Sequence, residues 1–195
     1  MPYESYLWLI RHAPVDGPRG VIHDHDAPAD VSDALALARL RAQLPEPHKA
    51  ICSPARRTRE TALALGLAPA VDEAFREQNF GRWTGQRHAE IAREMGAAYE
   101  TFWRAPATNR PPDGESFADQ IERVREGIDR LPAGHVVLVV HSGTIRAAVA
   151  IALGLSAETA ISFVIDPLSL TRLDRLGSAW RVVTVNRGSF TQPGM

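Results

Sequence analysis

The chain has 195 residues, of which 45% are hydrophobic and 23% are charged, a composition typical of a soluble globular protein. This length predicts one domain with a sizeable core. The formal net charge of -1 argues against broad nucleic-acid binding, which needs a basic surface. Cys52 is the one cysteine, so an internal disulfide framework is excluded, and no apolar run is long enough to cross a membrane. The sequence therefore predicts a cytoplasmic protein.

The first predicted element is a short apolar strand, Tyr6 to Ile10, which ends abruptly at Arg11 and His12. A strand buried on both faces has room for such side chains only beyond its carboxyl end, the edge where ligands bind in open α/β sheets. After it, the patterns predict in order a loop over residues 13–31, a helix from Ser32 to Pro45, a strand over Lys49–Cys52 and a helix from Ser53 to Gly66.

The second half of the chain continues to alternate helices with strands. In order, its patterns predict a loop over 72–85, helices over His88–Met95 and Ala97–Arg104, a helix that is capped by Ser116 and Asp119 and reaches Leu131, a strand over His135–Val140, a helix over Thr144–Leu153, and antiparallel strands over Leu168–Asp174 and Trp180–Asn186. The alternation predicts a single α/β domain over residues 1–195. Its architecture would be a three-layer α/β/α sandwich with a mostly parallel central sheet and a hairpin near one edge.

Three predicted strands end in polar residues that a parallel sheet would bring to one edge. The first ends at Arg11 and His12. The second leads into a helix whose first turn carries Arg56, Arg57 and Arg59, and the strongest ends at His141, directly before a helix N-terminus. Helix N-termini favour anions, and arginine forms forked hydrogen bonds with phosphate oxygens. This edge therefore predicts a phosphoryl site, and the absence of a Gly-rich Walker loop from the sequence argues against cleavage of a nucleoside triphosphate.

Five short motifs resemble those of the histidine phosphatase superfamily, also called the phosphoglycerate-mutase-like family, and their span covers nearly the whole chain. The motifs are, in order, Arg11-His12-Ala13 for R-H-G, Ser53 to Ala62 for S-x-x-x-R-x-x-x-T-A, Phe75 to Gly85 for L-x-E-x-x-F-G-x-W-x-G, Pro112 to Phe117 for P-x-G-E-S-F, and His141-Ser142-Gly143 for H-G-G. Within the family, the Pro18-Arg19-Gly20 loop and the P-x-G-E-S-F segment look most like alpha-ribazole phosphatase-type members.

The resemblance implies a metal-independent phosphomonoesterase. His12 would be the nucleophile that forms a phosphohistidine, while Arg11, Arg57 and His141 would hold the phosphoryl oxygens. Glu77 would protonate the leaving alcohol and then activate water. Since the arginines and histidines supply the positive charge, no metal and no cofactor are implied. The implied substrate is a small phosphomonoester, with alpha-ribazole 5'-phosphate as one candidate.

Five further residues are expected to contact the substrate, because they lie in the loops above the strand ends or beside the second histidine. They are Arg19, His23, Phe80, Trp83 and Ser142. Phe80 and Trp83 would partly close the pocket around Glu77. Arg146 is expected to brace the helix that follows His141 rather than to touch the substrate.

Two departures from the family pattern leave another class of function open. Ala13 stands where the family commonly has glycine, and Ser142 replaces a glycine or another small residue beside the second histidine. If these changes abolish turnover, the chain would be a phosphate-binding or regulatory module. Mutase-type phosphotransfer is a further alternative, although Gln78-Asn79 replaces the Arg-His pair of phosphoglycerate mutases.

A metal site is the main rival interpretation. The run His23-Asp24-His25-Asp26 could ligate a divalent cation, as in a metallohydrolase, or could line the substrate entrance. As for partners, the sequence implies neither nucleic acid nor membrane, and the exposed edge of the late hairpin could pair two copies into a homodimer.

Overall fold

A six-stranded sheet lies at the centre of the computed structural model, which describes residues 4–188. Residues 1–3 and 189–195 of the predicted domain lie outside the described range. The strands are β1 (Glu4–Arg11), β2 (Lys49–Cys52), β3 (Ala70–Val71), β4 (Gly134–Val140), β5 (Leu170–Leu176) and β6 (Ala179–Arg187).

The order of strands in the sheet is β3-β2-β4-β1-β5-β6. The first four strands of the chain are mutually parallel, while β5 pairs antiparallel with β1 and forms a hairpin with β6 at one edge. The mostly parallel sheet and the antiparallel hairpin are confirmed. As a result, the carboxyl ends of β1, β2 and β4 meet at one edge of the sheet.

Helices cover both faces of the sheet. Side chains alternate between the faces of a strand, so Leu7 and Leu9 pack into one core cluster while Ile10 packs into the other. The helices on the Leu7 side are α5 (Phe117–Asp129), α6 (Ser142–Leu153) and α7 (Ala157–Ala160), and those on the Ile10 side are α1 (Ala34–Arg41) and α2 (Arg56–Ala64). The predicted three-layer α/β/α arrangement is confirmed. Among residues 4–188, no helix combines the length and the apolar character needed to cross a membrane.

Two remaining helices, α3 (His88–Met95) and α4 (Ala97–Arg104), have the predicted bounds. They share a third, smaller apolar cluster with Ile22 and Trp83, apart from the two cores that flank the sheet. This unit supplies part of the wall of the cavity described below.

Helix starts were predicted unevenly. The capping box of α5 is confirmed, since Ser116 accepts from the backbone N–H of Asp119 and the Asp119 carboxylate accepts from that of Ser116. The predicted start of α1 at Ser32 was wrong, because the side chain of Asp33 accepts from the Ala36 N–H and is the cap. The predicted start of α2 at Ser53 was also wrong, since the first helical residue is Arg56.

Candidate active site

His12 follows β1 directly and lies in the interior with 5% of its surface exposed. Its backbone N–H donates to the carbonyl of Val140, which ties the end of β1 to the end of β4. Its Nδ1 lies 2.6 Å from the Ala13 carbonyl oxygen. Because a carbonyl can only accept, Nδ1 carries the proton and Nε2 keeps its lone pair. Burial, with the charge of Arg57, lowers the pKa of His12 to about 3, so this imidazole is neutral at physiological pH.

Arg57 holds the free nitrogen of His12 from the first turn of α2. Its Nε donates to His12 Nε2 at 3.3 Å, and its Nη1 donates to the backbone carbonyl of Asp24 at 2.7 Å. The guanidinium is therefore fixed from two sides in a buried position. A phosphoryl group bound to His12 Nε2 would lie beside this positive charge.

His141 follows β4 directly and is the N-cap residue of α6, with no exposed surface. Its ring centroid lies 5.2 Å from that of His12. Burial, followed by the neighbouring His12 and Arg57, holds the pKa of His141 well below its ordinary value. Its Nδ1 lies 4.0 Å from Oε2 of Glu77 and has no hydrogen-bond partner among the described residues. This nitrogen is therefore available to a ligand.

Ser53 determines how the His141 ring is held, and it was not among the predicted site residues. Its Oγ lies 2.7 Å from His141 Nε2 and accepts from the backbone N–H of Ala55. Because the hydroxyl proton has no other acceptor among the described residues, Ser53 donates it to Nε2, which leaves the His141 proton on Nδ1. The position of Ser53 at the end of β2 was the sequence signal, but the pattern favoured a helix cap.

Glu77 approaches the site from the loop after β3. Its Oε1 accepts from the backbone N–H of Gln78 at 3.1 Å and from the side chain of Gln120 at 3.3 Å. Gln120 is fully buried on the apolar face of α5, a polar residue where the helical pattern expects an apolar one. That exception was a usable signal for a site residue.

Gly143 leaves room for this carboxylate. A Cβ built on Gly143 would collide with Oε1 of Glu77 and with Oε1 of Gln120. The third position of the His141-Ser142-Gly143 motif is therefore needed for space, in the first turn of α6.

Arg11 and Arg146 are both held by one short segment after α7. Arg11 Nη1 donates to the carbonyl of Ile165, and Arg146 Nε donates to the carbonyl of Phe163 at 2.8 Å. The Arg146 contact matches its predicted bracing role, but Arg146 also lines the cavity, which the sequence did not indicate. Arg11 Nε is buried with no partner among the described residues, a donor left free at the site.

A cavity of about 1040 Å³ opens over the carboxyl ends of β1, β2 and β4. It brings together the five residues predicted for catalysis and phosphate binding, which are Arg11, His12, Arg57, Glu77 and His141. His23, Phe80 and Ser142 also line it, and their contact with substrate stays a prediction.

The structure does not bring Arg19 or Trp83 to this cavity. Trp83 is 2% exposed and packs edge-on against Phe102 with 5.1 Å between ring centroids, so it supports the wall from behind. Arg19 lies in an exposed loop, where its backbone carbonyl accepts from Arg87. Their predicted contact with substrate has no support in the cavity lining and stays a prediction.

Ala13 fits the site without backbone strain. Ala13 is fully buried, and its N–H donates to Thr61 Oγ1 at 3.0 Å. It is not among the described non-glycine residues with positive φ, which are Asp113, Leu168 and Asn186. The Cβ that replaces the family's glycine is therefore accommodated.

The polar groups of the run His23 to Asp26 bind other parts of the protein or face solvent. Oδ1 of Asp24 accepts from the N–H groups of Asp26 and Ala27, and the Asp24 carbonyl binds Arg57. His25 and Asp26 form an exposed pair at 3.5 Å. Within residues 4–188, no three His, Cys, Asp or Glu side chains are gathered as a metal would require.

Comparison with known proteins agrees with this geometry. The family model of the histidine phosphatase superfamily, branch 1, matches residues 7–188. The glucosyl-3-phosphoglycerate phosphatase of Mycolicibacterium vanbaalenii is 32% identical over 172 residues, which cover 78% of this chain and 76% of that protein. The solved alpha-ribazole phosphatase of Shigella flexneri has a TM-score of 0.83 at 23% identity, with 93% of this chain and 96% of that chain covered.

A third relative is longer than this chain. A bifunctional protein of Mycobacterium tuberculosis is 33% identical over 129 residues, which cover 62% of this chain but only 35% of that protein. The chain thus spans about a third of the length of that relative. With the family model matched from β1 to the end of β6, the chain belongs to the histidine phosphatase superfamily, branch 1.

Proposed function

We propose that the protein hydrolyses a small phosphorylated metabolite without a metal, through a phosphohistidine at His12. The observation that carries this proposal is the state of the His12 ring. Its Nδ1 proton is held by the Ala13 carbonyl, while its unprotonated Nε2 faces Arg57 Nε at 3.3 Å. A neutral imidazole that keeps its Nε2 lone pair, beside a guanidinium that can bind phosphoryl oxygens, is suited to attack phosphorus.

In the first step, a bond forms between His12 Nε2 and phosphorus while the bond from phosphorus to the ester oxygen breaks. The positive charges of Arg11 and Arg57 and the free N–H of His141 Nδ1 stabilise the charge on the three equatorial oxygens. Glu77 donates a proton to the departing alkoxide, which leaves as a neutral alcohol.

In the second step, water attacks the phosphohistidine. The Glu77 carboxylate takes one proton from this water as its oxygen bonds to phosphorus, and the bond to Nε2 breaks. Inorganic phosphate leaves and His12 returns to its neutral form. The same carboxyl therefore works as acid and then as base. Both steps need it in one place, which the missing side chain of Gly143 makes possible.

Turnover is favoured over a silent phosphate-binding module. The two substitutions that suggested a loss of activity are Ala13, which adopts its backbone conformation without positive φ, and Ser142, which lines the cavity in the first turn of α6. Neither displaces His12 or Glu77 from the site.

Alpha-ribazole 5'-phosphate is the first substrate to try, and mutase-type transfer to a second alcohol is the competing reaction. The resemblance of the 18–20 loop to alpha-ribazole phosphatase-type members supports this choice. Two relatives suggest further substrates by name: glucosyl-3-phosphoglycerate comes from the Mycolicibacterium protein, and phosphoserine from 'Putative phosphoserine phosphatase 2' of Hydrogenobacter thermophilus, which is 27% identical to this chain over 200 residues. A panel of these three esters, assayed by phosphate release, ranks them directly.

The deciding experiment is hydrolysis of an aryl phosphate by the wild-type protein and by His12→Ala, each with and without EDTA. We expect activity that resists EDTA and is lost in His12→Ala, together with acid-labile phosphate on wild-type protein quenched during turnover. Activity abolished by EDTA would contradict the proposal and return attention to the 23–26 run. Phosphate binding without any turnover would favour the silent module.

We also propose that the protein is cytoplasmic and pairs through β6. Cys52, the one cysteine, is buried and free, as suits a reducing compartment.

Strand β6 lies at an edge of the sheet, and Val183 on it is 46% exposed. Sedimentation of the wild type and of Val183→Lys tests this pairing, which predicts a dimer that the lysine disrupts.

A further inference from the structure

One wall of the cavity is aromatic, and the mechanism does not use it. From residue 80 to residue 106, every residue is described, and the lining side chains in this stretch are Phe80, Thr84, His88, Phe102, Trp103 and Pro106. No Arg, Lys, Asp or Glu is among them. The arginines of the cavity come instead from the carboxyl edge of the sheet and its neighbouring segments. The cavity is thus divided into a cationic end and an aromatic wall without arginine, lysine or carboxylate.

The rings of this wall are held in place by one another. Phe102 lies edge-on to Phe80 with 6.4 Å between centroids and edge-on to Trp103 with 5.0 Å. The His88 ring lies 5.9 Å from Trp103. Behind them, buried Trp83 packs against Phe102. A ligand would therefore meet a preformed surface, which lowers the entropic cost of binding.

Trp103 is the exposed aromatic ring of the wall. It lines the cavity and keeps 44% of its surface in contact with solvent, although indole is among the largest apolar side chains. The phosphoryl group needs only the cationic end, so the rest of a cavity of this volume remains for the alcohol part of the substrate.

We infer that the leaving alcohol carries an uncharged, planar aromatic or heteroaromatic ring that stacks on Trp103 and its neighbours. This inference rests on the proposed function, because it concerns the alcohol part of the same ester. Stacked or edge-to-face ring pairs are favourable beyond the area they bury, and the wall offers both geometries. An aliphatic chain would gain only the burial of its surface.

Two synthetic esters isolate the ring. 3-Phenylpropyl phosphate and propyl phosphate share a primary alkoxide leaving group, so their chemistry at phosphorus is alike. We expect kcat/KM of the wild type to be about tenfold or more higher for the phenylpropyl ester. A 3-cyclohexylpropyl ester tests planarity, and a higher kcat/KM for it than for the phenyl ester would overturn the aromatic assignment.

Substitution of Trp103 tests whether this ring causes the preference for the phenylpropyl ester. The ratio of kcat/KM between the phenylpropyl and propyl esters should fall about fivefold or more in Trp103→Ala, whereas Trp103→Phe should keep most of it. Trp180→Ala is the matched control, since Trp180 lies on β6 at the far edge of the sheet, and it should leave the ratio unchanged. An unchanged ratio in Trp103→Ala would overturn the inference.

The outcomes separate this inference from the proposed function. Equal kcat/KM of the wild type for both esters overturns the aromatic assignment and leaves the phosphatase mechanism standing. If neither ester is hydrolysed, calorimetry with 3-phenylpropylphosphonate and propylphosphonate decides, because their C–P bonds do not need the catalytic step. Tighter binding of the phenyl compound supports the inference, and equal binding or none overturns it.

Discussion

Gly143 and Glu77 fit together so closely that a methyl group on the glycine would displace the carboxylate. The first turn of α6 passes directly beside Oε1 of Glu77, and Gln120 presses on the same point from α5. The proposed acid is thus positioned by the packing of two helices.

Gly143→Ala should therefore act on catalysis through Glu77. We expect kcat for an alkyl phosphate to fall about 100-fold or more, because positioned acid–base catalysis contributes on that scale. The loss should be much smaller for p-nitrophenyl phosphate, whose leaving group needs little protonation. Equal losses for both esters, in a variant with an unchanged Tm, would show that Glu77 is not the group affected.

Ser53→Ala should leave the buried His141 Nε2 without its hydroxyl partner. We expect the free energy of unfolding to fall by about 1–3 kcal/mol, together with a drop in kcat/KM and a changed tautomer of His141. Urea denaturation measures the first effect and 15N chemical shifts of the ring measure the last.

Ser169→Ala is the matched control for that substitution. Ser169 is as buried as Ser53, but its Oγ has no hydrogen-bond partner among the described residues. Its removal should be neutral or slightly stabilising. A comparable loss of stability in both variants would argue that volume, and not the hydrogen bond to His141, accounts for the effect.

Acid should destabilise the fold through His12. Its pKa falls from an ordinary 6.5 to about 3 in the folded protein, so between these values the unfolded chain binds a proton that the folded chain excludes. The contribution is complete above pH 6.5 and is lost as the pH falls. His12 alone should lower the free energy of unfolding by about 2 kcal/mol between pH 6.5 and 5, and His141 should add to this.

Urea titrations of the wild type and of His12→Gln at several pH values in phosphate-free buffer measure this effect. The wild type should lose more stability on acidification than His12→Gln does. Parallel curves for the two proteins would mean that His12 is not kept neutral by burial.

Arg57→Gln should raise the pKa of His12 part of the way to its ordinary value, because the arginine charge is a cause of the shift second to burial. It should also weaken phosphate binding by about tenfold or more, since a charged donor is removed. NMR titration of the His12 ring and calorimetry with inorganic phosphate check the two effects. Arg59→Gln, on the exposed side of the same helix, is the control and should change neither.

The sequence predicted the parts of the fold that depend on local pattern. The apolar run before His141 produced β4, and the Ser116-Asp119 pair capped α5, because both signals lie within a few residues of the element they define. The start of α2 was misplaced for a non-local reason. The hydroxyl of Ser53 is turned toward His141, 88 residues later in the chain, so the residue does not cap the helix.

The site divides in the same way. Residues at strand ends, such as His12 and His141, were predictable because strand direction alone places them at the edge. Gln120 and Trp103 lie on helices, and which face of a helix is turned toward the site depends on how the whole chain packs. Their place in the site could therefore not be predicted from the sequence. Phe80 and Trp83 belong to the same motif, yet Phe80 lines the cavity while Trp83 is 2% exposed and packs behind Phe102, a difference that the motif does not encode.

The segment that anchors Arg11 and Arg146 does so through the main-chain oxygens of Phe163 and Ile165. Any amino acid supplies such an oxygen, so substitutions at these two positions can preserve both anchors as long as the path of the backbone is kept. An inserted or deleted residue between them would shift the two cations together. The positions of the two arginine side chains therefore depend on the number of residues in this connection more than on which amino acids it contains.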